Sequence, residues 1–185
     1  FKLDKNIFID TPRSIKWWDY QKVINYGIKN QFTSKKEVLN HLEETLRSTI
    51  QSHNISDVPT GTFLSGGIDS SLVTTFLSQS QTKKVNTFTI GFQDQKYDES
   101  KDANKIAKYL GTKHNEIILN PIEALNLIPK LPSIYSEPFA DPSQVPTSLI
   151  CREVRNAGIK VALTGDGGDE MFGGYVRHFK GPRSW

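Results

Sequence analysis

The sequence predicts an α/β domain, a parallel sheet with helices on both faces, and two observations carry that prediction. Short apolar runs of strand composition alternate with segments whose apolar residues recur at helical spacing. Such alternation implies parallel strands joined by right-handed crossovers. Two glycine-rich stretches, LSGGIDSS at 64–71 and TGDGGDE at 164–170, each follow directly on a strand-like run. In open parallel sheets ligands bind beyond the carboxyl ends of the strands, so both loops face one crevice.

Residues 1–33 show little periodicity and read as an arm arriving from something upstream. Trp17 and Trp18 either pack that arm onto the domain or form a partner-binding patch. Ser34-Lys35-Lys36-Glu37 is a capping box, and Val38, Leu39, Leu42, Leu46 and Ile50 continue a helix to about residue 53. Residues 60–64 read as a buried strand. A helix from Gly67 to about Gln79 follows, with Ile68, Leu72, Val73, Phe76 and Leu77 as its apolar set. Residues 85–90 are a second strand closed by Gly91. Asp98 caps a third helix, with Ala103, Ile106, Ala107 and Leu110 inside and Gly111 as its stop. Residues 114–119 are a third strand. Asn120, Pro121 and Glu123 open another helix as cap, first-position proline and first-turn acid, and it runs into Pro129 and Pro132. Residues 144–157 make a further helix ended by Gly158, and residues 159–164 are the fourth strand. Beyond the second glycine-rich loop no clear element is expected. The domain proper is taken as 34–178, with 179–185 as a tail.

A chain of 185 residues is one domain or a little more, and it can bury a substantial core without staples. Its 23 basic and 20 acidic residues leave a formal charge of +3, too mild and too evenly spread to argue for nucleic acid. Cys151 is the only cysteine, which excludes a disulfide framework and a cysteine-based zinc site and fits a reducing, cytoplasmic compartment. It reads as a core residue of a helix. No apolar run reaches membrane-spanning length, and the N-terminus has no signal-peptide pattern. The chain opens Phe1-Lys2-Leu3 and its only methionine is Met171, so it reads as a piece of a longer protein.

In LSGGIDSS, Gly66 and Gly67 let successive N–H groups turn inward as an anion-binding concavity. The following helix aims its N-terminus, with free donors and a positive dipole end, at the same spot. Ser65, Ser70 and Ser71 add hydroxyls. There is no lysine of a Walker A loop and no G-x-G-x-x-G fingerprint. Asp69 is the informative departure. A carboxylate beside a phosphate repels it unless a cation lies between, which argues for Mg²⁺; the alternative is an acid placed to complement the helix dipole. In the second loop Asp166, Asp169 and Glu170 crowd three acids into five residues, which points to a cation or, alternatively, to a solvated acidic turn.

LSGGIDSS resembles the PP-loop, S-G-G-x-D-S-S, of the ATP pyrophosphatases, which split ATP between its α- and β-phosphates and leave an adenylate. FTIGF at 88–92, YDE at 97–99, LGTKH at 110–114, EPFADPS at 137–143 and LTGDGGDEMFGGY at 163–175 are similar, in order and approximate spacing, to the synthetase domain of glutamine-hydrolysing asparagine synthetase. The resemblance runs from about Pro12 to about His178 and implies the adenine nucleotide alpha hydrolase-like, Rossmann-like fold. The family makes a β-aspartyl adenylate from aspartate and ATP. Ammonia from glutamine, hydrolysed in an N-terminal glutaminase domain, then attacks the acyl carbon.

Carried over by position, Ser65, Gly66, Gly67, Asp69, Ser70 and Ser71 would hold the pyrophosphate half of ATP, and Asp69 and Asp169 would reach Mg²⁺. Backbone groups near Leu64, Ile90 and Gly165 would touch the nucleoside. Glu137 and Asp141 would shape the acceptor pocket, with turn chemistry beside prolines as their alternative. Asp166 stands where well-known members carry glutamate, a base for incoming ammonia; aspartate is one methylene shorter. The family's lysine downstream of the Phe-Gly-Gly-Tyr segment has no counterpart before Trp185. The expected protein is therefore an ATP- and Mg²⁺-dependent amide-forming ligase acting on aspartate, or on another carboxylate such as a sugar acid. A non-catalytic nucleotide-binding module is the alternative from another class. The chain alone is expected to do little net synthesis, and a homodimer stays open.

Overall fold

The computed structural model describes residues 14–92, 98–138 and 140–180. Two residues of the quoted motifs, Tyr97 and Phe139, lie outside them, as do the start of the arm and residues 181–185. The chain divides into two units, Phe1–Glu43 and Glu44–Trp185.

The first unit corrects the expectation of an irregular arm. Tyr20–Lys29 is a helix, α1, and Asp19 caps it by accepting from the N–H groups of Gln21 and Lys22. The capping box at the head of α2, Lys35–His53, forms with a substituted partner. Ser34 Oγ accepts from Glu37 N–H at 3.2 Å, while Glu37 Oε2 takes the N–H and hydroxyl of Thr33 at 3.0 and 2.8 Å.

The second unit is built on four strands: β1 Thr60–Phe63, β2 Asn86–Gly91, β3 Lys113–Ile118 and β4 Val161–Leu163. They are all parallel in the order β3-β2-β1-β4. The chain therefore runs outward from β1 to β3 and then returns to the other side of β1. That reversal puts the topological switch point between β1 and β4, the position where doubly wound sheets bind ligands. The strand assignments hold to within a few residues at each end. Leu64, expected as the last residue of the first strand, still donates its N–H to Phe88 O at 2.8 Å.

Helix α3, Ile68–Ser80, and helix α4, Ser100–Leu110, cover one face of the sheet. Leu77 and Phe76 pack with Val85 and Ile50, and Leu64 packs with Ala103 and Ala107. Ile68 and Leu72, expected inside, are exposed, because the buried stripe of α3 runs through Ser70, Thr74 and Leu77 instead. Thr74 is hidden because its hydroxyl meets that of Thr62 at 3.0 Å. Asp98 is one residue too early to be the cap of α4, which is Glu99. Its Oδ1 instead accepts from Ser100 N–H at 3.1 Å and Phe92 N–H at 3.4 Å. The Ser100 hydrogen bonds hold the Asp98 carboxyl below its ordinary 3.8.

The return from β3 to β4 passes through α5, Pro121–Leu127, a single 3₁₀ turn, α6, Leu131–Ile134, and α7, Gln144–Asn156. Asn120 caps α5 as expected, accepting from Ile122 N–H at 2.9 Å. Helix α7 covers the other face of the sheet, where Phe88 meets Ile150, Val154 and Ile159. Helices on both faces, and so the predicted α/β class, are what the structure shows. Cys151, expected in the core, is exposed: it sits beside Ile150 on α7 but off the stripe of Leu149, Ile150 and Val154. Two short helices follow the second loop where no element was expected: α8, Gly168–Phe172, and α9, Val176–Lys180. Neither is long enough to announce itself by periodicity. No described helix is long and apolar enough to cross a membrane.

Beneath α4 the sheet carries a polar seam. Thr87 Oγ1 lies 2.9 Å from both Thr112 Oγ1 and His114 Nδ1, and His114 Nε2 is buried without a hydrogen-bond partner. Burial pushes this imidazole below its ordinary 6.5, against a weaker upward pull from Glu116. Between the lowered value and 6.5 the unfolded chain binds a proton that the folded chain refuses, so stability falls as pH falls through that window. The denaturation midpoint should therefore drop from about pH 7.5 to about pH 5.5, and His114→Gln should flatten the decline. An unchanged slope in the variant would assign the decline elsewhere. Depressed carboxyls such as Asp98 titrate below this window.

Candidate active site

The loop after β1 is shaped by its own serines. Ser70 is buried, and its Oγ accepts from Ser65 N–H at 3.1 Å and lies 2.8 Å from Ser65 Oγ. Ser65 Oγ also accepts from Gly67 N–H at 3.1 Å, and Ser71 Oγ donates to Gly67 O at 2.6 Å. The three hydroxyls are thus engaged within the loop, which differs from the expectation that they stand free as donors. What stands free is backbone. Helix α3 has Gly67 at its N-cap with no side-chain cap, and among the described residues the N–H groups of Gly66, Ile68, Asp69 and Ser70 meet no acceptor. An uncapped helix N-terminus with four open amides on one loop suits an anion.

The loop after β4 is seated directly on this turn. Gly165 comes so close that a Cβ there would lie 2.8 Å from Ser70 N and 3.0 Å from Asp69 C. A Cβ on Gly168 would run into the Asp69 carboxylate itself. Two loops about a hundred residues apart in sequence are therefore in van der Waals contact across the switch point, as the topology requires.

The acids of the second loop differ in their partners. Asp166 is exposed and accepts from Thr164 Oγ1 at 3.0 Å, while its N–H donates back to Thr164 Oγ1 at 3.3 Å. Glu170 accepts from Tyr175 OH at 2.6 Å; that bond lowers the Glu170 carboxyl below its ordinary 4.5 and raises the Tyr175 phenol above 10.0. Only Asp69 and Asp169 are half-buried carboxylates without a hydrogen bond or ion pair among the described residues. Among those residues no three metal-binding side chains converge. Asp69 stands on the loop of unpaired amides, and Asp169 follows Gly168, which packs on the Asp69 carboxylate; unpaired carboxylates of this kind suit Mg²⁺, which takes one or two protein carboxylates and completes its shell with water and phosphate oxygens.

Beside the loops, at the ends of β1 and β2, lies a cavity of about 320 Å³. Phe63, Leu64, Phe88, Ile90, Pro146 and Ile150 make its apolar walls, with Ser65, Thr89, Thr147 and Glu99 as polar points. Leu64 and Ile90, expected near a nucleoside, line it; Gly165 does not. Phe88, Pro146 and Thr147 were missed by the sequence reading. Alternation along β2 toward α7 was the signal that could have found Phe88.

Glu137 and Asp141 are exposed on the segment entering α7, whose first turns line the cavity. Asp141 accepts from Ser143 N–H at 2.8 Å, so it makes the turn its neighbours suggested, and the Ser143 bonds keep its carboxyl below 3.8. Tyr135 OH donates to Gln144 O at 3.0 Å and ties the segment to α7.

Against known proteins, the family model described as asparagine synthase matches residues 41–185. A putative glutamine-hydrolyzing asparagine synthetase 2 of Methanocaldococcus jannaschii is 36% identical over 187 residues, covering 99% of this chain and 35% of that protein. Glutamine-hydrolyzing asparagine synthetase B of Escherichia coli is 32% identical, covering 91% of this chain and 31% of its own. The chain thus spans about a third of the length of these curated relatives. Among solved structures, glutamine-dependent NAD⁺ synthetase from Acinetobacter baumannii, in complex with adenosine diphosphate, superposes with a TM-score of 0.54 at 18% identity. It covers 79% of this chain and 29% of that one, and the likeness is one of fold.

Proposed function

The chain belongs to the asparagine synthase family, and from that premise we propose that residues 34–178 form the ATP-using synthetase domain of an amide-forming ligase. The single observation that carries the reading is the set of unpaired amides beside the unpaired Asp69 carboxylate, with the second loop, which bears Asp169 next to Gly168, packed on them at the switch point. The loop Ser65–Ser71 takes the phosphates of ATP on the N–H groups of Gly66, Ile68, Asp69 and Ser70. The nucleoside enters the cavity between Leu64 and Ile90, whose volume and apolar walls suit a purine. Bound Mg²⁺ would be held by Asp69 and Asp169 and would supply charge neutralisation to the phosphates.

The acceptor is a carboxylate, assigned to aspartate from the names of the relatives. Glu137 and Asp141, on the segment leading into α7, are the residues assigned to its pocket. The carboxylate oxygen attacks the α-phosphorus, the bond to the β-phosphate oxygen breaks, and pyrophosphate leaves an acyl adenylate. Ammonia, derived from glutamine in the longer protein, adds to the acyl carbon. AMP departs with the C–O electron pair, and the nitrogen's extra proton passes to Asp166, which Thr164 holds by hydrogen bonds on both sides.

Calorimetry with this chain tests the assignment. Asp69→Asn should weaken Mg-ATP binding at least about tenfold, or 1.4 kcal/mol. It should leave ATP binding in EDTA equal or tighter, because a carboxylate beside phosphate repels it when no cation intervenes. Equal weakening under both conditions would assign Asp69 to the loop's shape and not to a metal.

A further inference from the structure

Helix α8 has five residues, too few to hold itself together, yet it carries Asp169. On its N-terminal side Gly165 and Gly168 press against Ser70 and Asp69. On its C-terminal side the chain doubles back. Gly173 takes φ +71°, and Gly174 donates its N–H to Asp169 O at 3.0 Å. The side of Gly174 where a Cβ would stand is filled by the Asp169 carboxylate. Tyr175 then reaches back to Glu170 with the 2.6 Å hydrogen bond.

The tyrosine is itself braced. The Arg177 guanidinium lies 4.0 Å from its ring centroid, and the His178 ring meets it edge-on at 5.4 Å. His178 N–H donates to Tyr175 O at 2.9 Å. The strap 173–178 therefore grips α8 at two adjacent residues: Asp169 by its backbone and Glu170 by its side chain.

Adjacent residues on a helix point about 100° apart, so holding Glu170 aside fixes the rotation of α8 and with it the direction of Asp169. We propose that Tyr175 is a positioning residue: through Glu170 it orients α8 so that Asp169, and not Glu170, is the second carboxylate offered to Mg²⁺. This rests on the assignment of Asp69 and Asp169 as the metal pair.

The test is ATP binding to this chain by calorimetry, in Mg²⁺ and in EDTA, with thermal unfolding alongside. Tyr175→Phe should weaken Mg-ATP binding about fivefold, leave binding in EDTA within about twofold, and leave the unfolding midpoint in place. Glu170→Gln keeps an acceptor for the phenol and should restore near-wild-type Mg²⁺ dependence, whereas Glu170→Ala should match Tyr175→Phe. A Tyr175→Phe chain with wild-type Mg²⁺ dependence, measured beside an Asp169→Asn chain that has lost it, would overturn the positioning role and leave the metal pair standing. An Asp169→Asn chain with unchanged Mg²⁺ dependence would overturn the metal pair, and the positioning role with it. Weakening in Mg²⁺ and EDTA alike would reduce Tyr175 to a structural contact.

Discussion

Gly165→Ala is expected to weaken Mg-ATP binding by at least about tenfold and to destabilise the fold by about 1–3 kcal/mol. The added methyl would arrive 2.8 Å from Ser70 N and 3.0 Å from Asp69 C. Both are backbone atoms in the first turn of a 13-residue helix, and they cannot swing aside as a side chain could. The second loop must lift instead, carrying Asp169 away from Asp69 and covering the open amides of α3. The loss should fall on the site more than on the fold, because only a surface crevice is wedged apart. Gly27→Ala is the control: its Cβ meets nothing within 4 Å on α1, and it should leave binding unchanged. Wild-type affinity in Gly165→Ala would mean that the two loops do not meet at this glycine.

That contact shows where sequence reading stops. The two loops could be placed at one edge of the sheet from chain pattern alone, because strand–helix alternation fixes parallel pairing and crevice position. Asp69 could be named from the cost of an acid near a phosphate, whereas Asp169 was set apart from its neighbouring acids only by the resemblance. What could not be read was which acids remain available. Glu170 is withdrawn by Tyr175 through a hydrogen bond that depends on how a five-residue helix is held, while Asp166 is oriented locally by Thr164. Composition shows three acids in five residues and is silent on their directions.

The same limit explains the serines. Ser65, Ser70 and Ser71 have the residue type of phosphate donors, but Ser70 is buried under its own loop and all three hydroxyls bond to loop atoms. The backbone donors do not depend on side-chain identity beyond the glycines that permit the turn, so the unpaired amides were legible in the sequence and the engagement of the hydroxyls was not. Likewise Ile68 and Leu72 fit a helical period, yet α3 buries Ser70 and Thr74 in their place. Thr62 and Thr74 satisfy each other across the interface, which makes a polar pair as buriable as an apolar one.

Phe88→Ala is expected to cost about 3–5 kcal/mol, a large share of the roughly 5–15 kcal/mol that holds a domain together. Phe88 is 1% exposed, sits on a central strand, and belongs both to the core under α7 and to the cavity wall. It packs with Ile150, Val154 and Ile159, the contacts that seat α7 on the sheet, and together with Ile150 it also walls the cavity beside the first glycine-rich loop. Truncation opens the core into that cavity, so α7 can settle inward only by narrowing the space proposed for the nucleoside. Urea denaturation should show the midpoint falling with little change in slope, and ATP affinity should fall under conditions where the variant is still folded. Ile68→Ala gives the scale: at 78% exposure it should move stability by no more than about 0.5 kcal/mol. If Phe88→Ala loses stability as expected but binds ATP as tightly as wild type, the nucleoside lies elsewhere, and the cavity between Leu64 and Ile90 belongs to the core alone.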